Sequence, residues 1–423
     1  MIEPGSSVAA VSVMDAVCTA CPLLCDDIVP GRRQRACEFG AAAFVAADGG
    51  AVHDVPEATI SHAATRARAA RRVLVTGLVG ATNEAILAAC DLAETLGAAV
   101  DSGGPETARI AGPTIARIGA VTADWEELRD RADLVIFWFC DPATSHPRFI
   151  ERFVAPPTGT GRSRRTVAVG PAAVLEPGSL HVHCQLPGDA AVVGARLLEA
   201  AIAGIDPGPA AADNVAAVAT LSCAVSAAGC VALVAGHADD RVGIEPWAVA
   251  SLVRRIAHVR PAFAVPLGAG ITGHGAHAAG AAAICTWRYG AAGAIARADR
   301  GGAAFLPAEA DAMRLVARGE VDCLIAVGGL PAPLDAAIGG HPDLDVIRIA
   351  DPATLSAAPR RDAVREIHLP CASLFTRPSG TMLRGDGRRI VLGPETGGAD
   401  SMAAVVARLH ARVRDLPAPG GRP

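Results

Sequence analysis

Short apolar runs ended by Gly, Pro or Asp recur along this chain, with Ala-rich stretches between them. ADLVIFWFCDP, RTVAVGP, CVALVAG, PAFAVPLG, VDCLIAVGGLP and LDVIRIADP all share this form. None alternates strictly, so each predicts a strand covered on both faces, which a parallel sheet flanked by helices provides. The intervening stretches 189–204, 245–257 and 307–318 predict helices. RRVLVTGLVGATN reads as a buried strand entering a Gly-containing turn. NEAILAACDLAETLG follows as a helix with apolar residues at i, i+3 and i+4 and a Gly stop, and AAVDSGG as the next strand. The fold class is therefore α/β with doubly wound sheets. At 423 residues the chain exceeds one hydrophobic core, so two or three domains are expected.

Charge and composition remove several functions. The net charge of -5, the absence of any basic run and the single Tyr argue against nucleic acid as a partner. Every basic residue is Arg, so no lysine can serve as base or Schiff-base former. No basic-then-apolar leader precedes residue 17 and no apolar stretch suffices to span a bilayer. Twelve scattered Cys then read as reduced thiols and ligands in the cytoplasm, with no membrane partner.

The strongest chemical signal is the quartet Cys18, Cys21, Cys25 and Cys37, set in VCTACPLLCDDI and RRQRACEFGAAAF. Three thiols at C-x2-C-x3-C converge on one small volume, and a fourth beyond a loop completes a ligand set. Buried small hydrophobes are the bland alternative. Zinc modules usually pair two C-x2-C knuckles, and only one is present, so an iron–sulfur cluster is preferred. GLVGATNEA follows a strand and opens a helix, yet it lacks both the full G-x-G-x-x-G pattern and a P-loop Lys. Ordinary turn chemistry is its first reading. His181 with His183, and His274 with His277, lack an acid at zincin spacing and read as solvated or core histidines. SHPR at 145–148 reads as a polar loop and PTGTGRSRR at 157–165 as a surface loop.

The quoted blocks also carry a family resemblance. VCTACPLLCDDI with RACEFGAAAF resembles the N-terminal cluster module in the B subunit of formylmethanofuran dehydrogenase, a relative of formate dehydrogenase in the molybdopterin oxidoreductase superfamily. LVGATNEAILAACDLAETLGAAVD, AGPT at 111–114, RADLVIFWFCDPATSHPR, ICTWRYG, AEADAMRLVARGEVDCLIAVGGLPA and SGTMLRGDGRRI follow in the family's order. The resemblance implies a [4Fe-4S] cluster on the four cysteines and a molybdenum- or tungsten-bis-pterin in active members. There the metal is held in a Cys-His-Gly-Pro-Ser/Thr motif. Here that stretch is Arg109-Ile110-Ala111-Gly112-Pro113-Thr114, which puts Ile110 at the ligand position and Ala111 at the histidine. Isoleucine cannot ligate the metal, and alanine cannot move a proton. The family's lysine after the fourth cysteine is replaced by Ala43.

A bacterial branch of that family fits these losses. The chain is similar to the B subunit of formyltransferase/hydrolase complexes, in which sibling subunits pass a formyl group to a methanofuran-like carrier and hydrolyse it to formate. The expectation is a non-redox, structural subunit with no catalytic residues of its own and no Mo/W-pterin. The alternatives are an active formylmethanofuran dehydrogenase subunit and a lone iron–sulfur electron-transfer subunit. The implied organisation is a Cys-rich module over 1–57, a discontinuous α/β domain from 58–105 and 286–410, an inserted α/β domain over 106–285, and a disordered tail over 411–423.

Overall fold

The computed structural model describes residues 16–29, 34–48, 54–103, 119–171, 182–186, 190–206, 212–236, 244–267, 276–298, 302–358, 365–394, 398 and 400–417. In chain order the strands are β1 (Val73–Thr76), β2 (Ala99–Val100), β3 (Leu134–Trp138), β4 (Arg165–Gly170), β5 (Val182–Gln185), β6 (Val231–Ala235) and β7 (Ala262–Pro266). They continue with β8 (Cys323–Val327), β9 (Asp345–Ala350), β10 (Arg365–Pro370), β11 (Thr381–Leu383) and β12 (Arg389–Val391). They form two five-stranded sheets and one hairpin. The first sheet runs β10-β9-β8-β1-β2 and the second β5-β4-β3-β6-β7. Every pairing within both is parallel, and β11–β12 is antiparallel. The expected α/β class is what the structure shows.

Alternation along the buried strands explains why their sequences look uniformly apolar. Leu134, Ile136 and Trp138 of β3 enter one core, while Val135 and Phe137 enter another on the opposite face. Val73 and Val75 of β1 likewise face one layer and Leu74 the other. Each central strand thus serves two cores at once, as parallel sheets require.

The layer beneath Val135 and Phe137 is not made of helices alone. Leu23, Ile28, Phe44 and the three cysteines Cys18, Cys21 and Cys25 belong to that same core, beside Trp125, Phe149 and Phe153. The cysteine loop therefore roofs one face of the second sheet.

The predicted helix after β1 is present as Asn83–Leu96, capped by Thr82 and stopped by Gly97 in the left-handed region. The predicted helical stretches appear as Ala191–Ile202, Ile244–Ala257 and the shorter Ala312–Ala317. The helix Ala278–Tyr289 places Ala281, Cys285 and Tyr289 in the first sheet's core, so a division at 285 falls inside a helix. At the other end, 411–415 are not tail. They complete the helix Met402–Asp415, because Leu409 and Val413 fall four apart on its buried face. Residues 418–423 lie outside the described residues. Among the described residues no helix is long and apolar enough to cross a membrane.

Candidate functional site

The cysteine loop folds back on itself through an antiparallel bridge between Ala16 and Ile28 and a bond from the Cys18 amide to the Cys25 carbonyl at 2.8 Å. Cys18, Cys21 and Cys25 are buried, Cys37 is half-buried, and all four are free thiols. Cys37 leads into the helix Glu38–Asp48, whose Gly40 amide donates to the Cys37 Sγ at 3.4 Å. A Cβ on Gly40 would lie 2.9 Å from the Cys18 Sγ and 3.8 Å from that of Cys37, so the missing side chain makes room for both sulfurs.

The sulfurs of Cys18 and Cys21 lie within electrostatic range of Cys25 and Cys37. Burial pushes the Cys18 thiol up to about 12, against a hydrogen bond from the Ala20 amide. It also raises Cys21, against the Leu23 amide, and Cys25, against the Arg152 guanidinium. Backbone N–H groups and a cation directed at sulfur are the surroundings a cluster-ligating thiolate requires, so the donor set is chemically suited to iron–sulfur ligation. Even so, among the described residues no three His, Cys, Asp or Glu side chains are grouped to hold a metal ion.

What fixes the loop lies in SHPR and the turn after it. Arg148 is buried and reaches both Asp27 oxygens at 2.8 and 2.7 Å, and also grips Glu151 at 3.1 and 2.8 Å. Arg152, four residues on, holds Asp26 at 2.5 Å and sets its positive charge near the Cys25 sulfur. The polar-loop reading of SHPR is thereby corrected: His146 and Arg148 are interior side chains. Two acids directly after a buried cysteine need cations, and Arg148 and Arg152 stand four apart. That spacing is visible in the sequence, but their distance from Asp26 and Asp27 along the chain hides the pairing.

A second tether comes from the hairpin β11–β12. The Gly385 amide donates to the Pro22 carbonyl at 2.9 Å. Arg384 is buried at 2% exposure, bonded to Glu126 and Asp386, and stacked over Trp125 at 5.0 Å. Burial pushes the Glu126 carboxyl up, but the Arg384 hydrogen bond and charge, with help from Arg388, bring it down to about 2.

In the first sheet, strand order reverses between β1 and β8, the place where such sheets bind ligands. The turn after β1 is the 3-10 segment Leu78–Gly80. Gly328 after β8 has φ of 99°, and a Cβ there would lie 2.9 Å from the Gly77 carbonyl oxygen. The glycines in GLVGATN thus serve backbone-to-backbone packing, as the turn reading expects. The crevice beyond them has a volume of about 220 Å³ and is lined chiefly by Gly80, Ala276, Gly329, Phe375, Met382 and Met402. Pockets for drug-sized ligands run to roughly 300–1,000 Å³. Asp351 at its rim already accepts from Ala353, Thr354 and the Thr354 hydroxyl. Ile110 and Ala111 lie outside the described residues.

Two histidines, His277 and His146, are core residues. His277 is fully buried; its Nδ1 donates to the Ala81 carbonyl at 2.6 Å, and its Nε2 accepts from the Leu383 amide at 2.7 Å. His146 is fully buried with Nδ1 on the Ser145 hydroxyl at 3.0 Å. His183 sits in β5, and His181 and His274 lie outside the described residues.

Burial pushes both buried imidazoles down to about 4 from 6.5. The fold thus favours the neutral ring, and the unfolded chain takes up protons first as pH falls. Stability from these rings is complete above 6.5 and declines between 6.5 and about 4, by on the order of 3 kcal/mol per ring. Urea unfolding at pH 7.5 and pH 5 is expected to show a lower midpoint at the acid value. A midpoint unchanged between the two would contradict neutral, buried rings.

Two parallel, doubly wound sheets with a cysteine loop roofing one of them define an α/β chain. No family model matches it. The chain is 28% identical over 188 residues to the B subunit of the tungsten-containing formylmethanofuran dehydrogenase 2 of Methanocaldococcus jannaschii, covering 37% of this chain and 42% of that one. It is 30% identical over 177 residues to the B subunit of the same name from Methanococcus maripaludis, covering 36% and 40%. The matches thus span about two fifths of the length of these curated relatives. Among solved structures the fold is similar to a chain of the formyltransferase/hydrolase complex (FhcABCD) from Methylorubrum extorquens in complex with methylofuran. That likeness has a TM-score of 0.67 at 22% identity and covers 87% of this chain and 98% of that chain.

Proposed function

We propose that this chain is the non-redox B-type subunit of a formyltransferase/hydrolase complex in tetrahydromethanopterin-linked one-carbon metabolism. Sibling subunits carry the formyl group from its pterin carrier to a methanofuran-like carrier and hydrolyse it to formate, and this chain is their assembly partner. The observation that carries the reading is Ile110-Ala111 where a redox member needs Cys-His. The fold likeness across 98% of the FhcABCD chain supports it. Purified complex is expected to hold no stoichiometric molybdenum or tungsten by elemental analysis. Either metal, together with carbon dioxide reduction, would restore the dehydrogenase reading.

The electron-transfer reading rests on the sulfur-directed donors around Cys18, Cys21, Cys25 and Cys37. Those four residues are the ligands we assign to a [4Fe-4S] cluster. Stoichiometric iron with visible absorbance after anaerobic purification supports it, and a colourless, iron-free complex that still assembles removes it.

A further inference from the structure

The loop PTGTGRSRR at 157–165 walls a cavity of about 560 Å³. The cavity lies beside the start of β4, at the opposite end of the second sheet from the carboxyl strand ends where such sheets bind ligands. Its volume falls within the roughly 300–1,000 Å³ of small-molecule sites. Ile150, Val154, Ala155, Pro156 and Pro157 give it an apolar wall, and Arg162, Ser163 and Arg164 a polar one. Among the described residues no acidic side chain lines it.

The two arginines of the polar wall are used differently. Arg164 gives its N–H groups to carbonyl oxygens: Nε to Ala132 at 2.9 Å, one terminal nitrogen to Val154 and Pro156, and the other to Arg129 and Leu128. These bonds close the C-terminal end of the helix Trp125–Arg131. They leave the guanidinium charge with no hydrogen-bonded carboxylate among the described residues, since Asp130 is taken by Arg129 at 2.7 and 3.1 Å. Arg162 commits only its Nη1, to Asp133 at 2.8 Å, and its side chain is 59% exposed. Among the described residues its Nε and Nη2 have no hydrogen-bond partner, and neither does the Ser163 hydroxyl. Nε and Nη2 form the side-on fork of a guanidinium, the pair that meets two oxygens of a carboxylate or phosphate at once. The loop that presents them is fixed, with the Thr158 hydroxyl on the Arg162 carbonyl at 2.7 Å and the Gly159 amide on the Asp130 carbonyl at 2.9 Å.

We propose that this cavity binds a small amphipathic anion, a phosphate or carboxylate head on an apolar body, at a site independent of the formyl-transfer reading. The head takes the Arg162 fork and the Ser163 hydroxyl, and the Arg164 charge attracts it without a direct bond. The body lies against Val154, Pro156 and Pro157. A neutral ligand would leave both guanidinium charges unanswered, and a bare anion would leave the apolar wall uncovered. The positive charge is local, because the chain as a whole carries a net charge of -5.

Titration calorimetry on the protein with its partners tests the site with phenyl phosphate, inorganic phosphate and phenol. Phenyl phosphate is expected to bind saturably, inorganic phosphate more weakly, and phenol not measurably at the same concentrations. Arg162→Ala should weaken phenyl phosphate roughly tenfold or more through the lost charge-assisted bonds. That variant should still fold, since Asp133 also accepts from the Gly229 and Cys230 amides at 2.9 and 2.8 Å. Ser163→Asp, at an exposed position, should abolish binding by placing a like charge at the head. Arg377→Ala, at an exposed arginine paired with Asp400, should leave the affinity unchanged and so separates the cavity from general attraction of anions to arginine. Absence of saturable phenyl phosphate binding would overturn the proposal. So would equal affinity in the wild type and Arg162→Ala, an equal loss in Arg377→Ala, or inorganic phosphate binding as tightly as phenyl phosphate.

Discussion

Replacing Arg384 by methionine is expected to lower the unfolding free energy by about 3–5 kcal/mol, the usual cost of stranding a buried charge. Arg384 and Asp386 are 2% and 1% exposed at their side chains, so the aspartate would be left without its cation in a dry site. Glu126 would lose its main partner in the same change, and Trp125 the guanidinium stacked over it. The network also sets the position of Gly385, where a Cβ would come within 3.0 Å of the Trp125 ring and 3.2 Å of Pro22. The damage should therefore reach the cysteine loop. Chemical denaturation measures the loss, and adding Asp386→Leu to Arg384→Met should recover part of it by removing the stranded carboxylate. A loss under about 1 kcal/mol would mean that water enters the network and solvates the aspartate.

The second large effect is expected at Gly280. A Cβ there would stand 1.7 Å from the His277 Nε2, the atom that accepts the Leu383 amide. The ring cannot retreat without breaking its two backbone hydrogen bonds, which join the helix Ala278–Tyr289 to the turn after β1 and to β11. Gly280→Ala should cost about 3 kcal/mol through overpacking and the lost Leu383 bond, despite alanine's better helix propensity. Gly302→Ala, where nothing lies within 4 Å, is the control and should be close to neutral. Unchanged stability in the Gly280→Ala variant would show that the His277 ring has room to rotate.

Much of the framework is legible from residues alone. The runs that form β3, β6, β8 and β9 are long, apolar and ended by Gly, Pro or Asp, so burial on both faces leaves a mark no side-chain detail can erase. β10 leaves a weaker one. REIHLP lies at the sheet edge, where only Leu369 is fully buried, and its polar residues mask the pattern. The hairpin β11–β12 is visible as a block of residues but not as a tether, because its strands have three residues each. The helix Glu38–Asp48 escapes sequence reading for a different reason. An Ala-rich sequence gives little contrast between its buried Phe44 and its exposed Phe39 and Val45.

The site is legible in its ligand types and not in its supports. Cys18, Cys21, Cys25 and Cys37 announce themselves by spacing within one short segment. Arg148 pairs with Asp27 and Arg384 with Glu126, and each pair is joined only after the chain has folded. Long-range ion pairs have no sequence period, so single-chain reading has nothing to detect.

The strand order of the first sheet has a consequence for the order of events during synthesis. β1 emerges early, yet its neighbour β8 begins at Cys323, after the whole of β3 to β7 has been made. Until then Val73 and Val75 have β2 on one side and an open edge on the other. The second sheet, whose five strands are consecutive, meets no such delay and can close first. Non-local parallel pairing is slow, because loop-closure entropy must be spent before any contact repays it. A nascent chain that stalls in the stretch before residue 323 would therefore present a finished domain carrying an unpaired, apolar strand, the kind of edge that chaperones exist to cover.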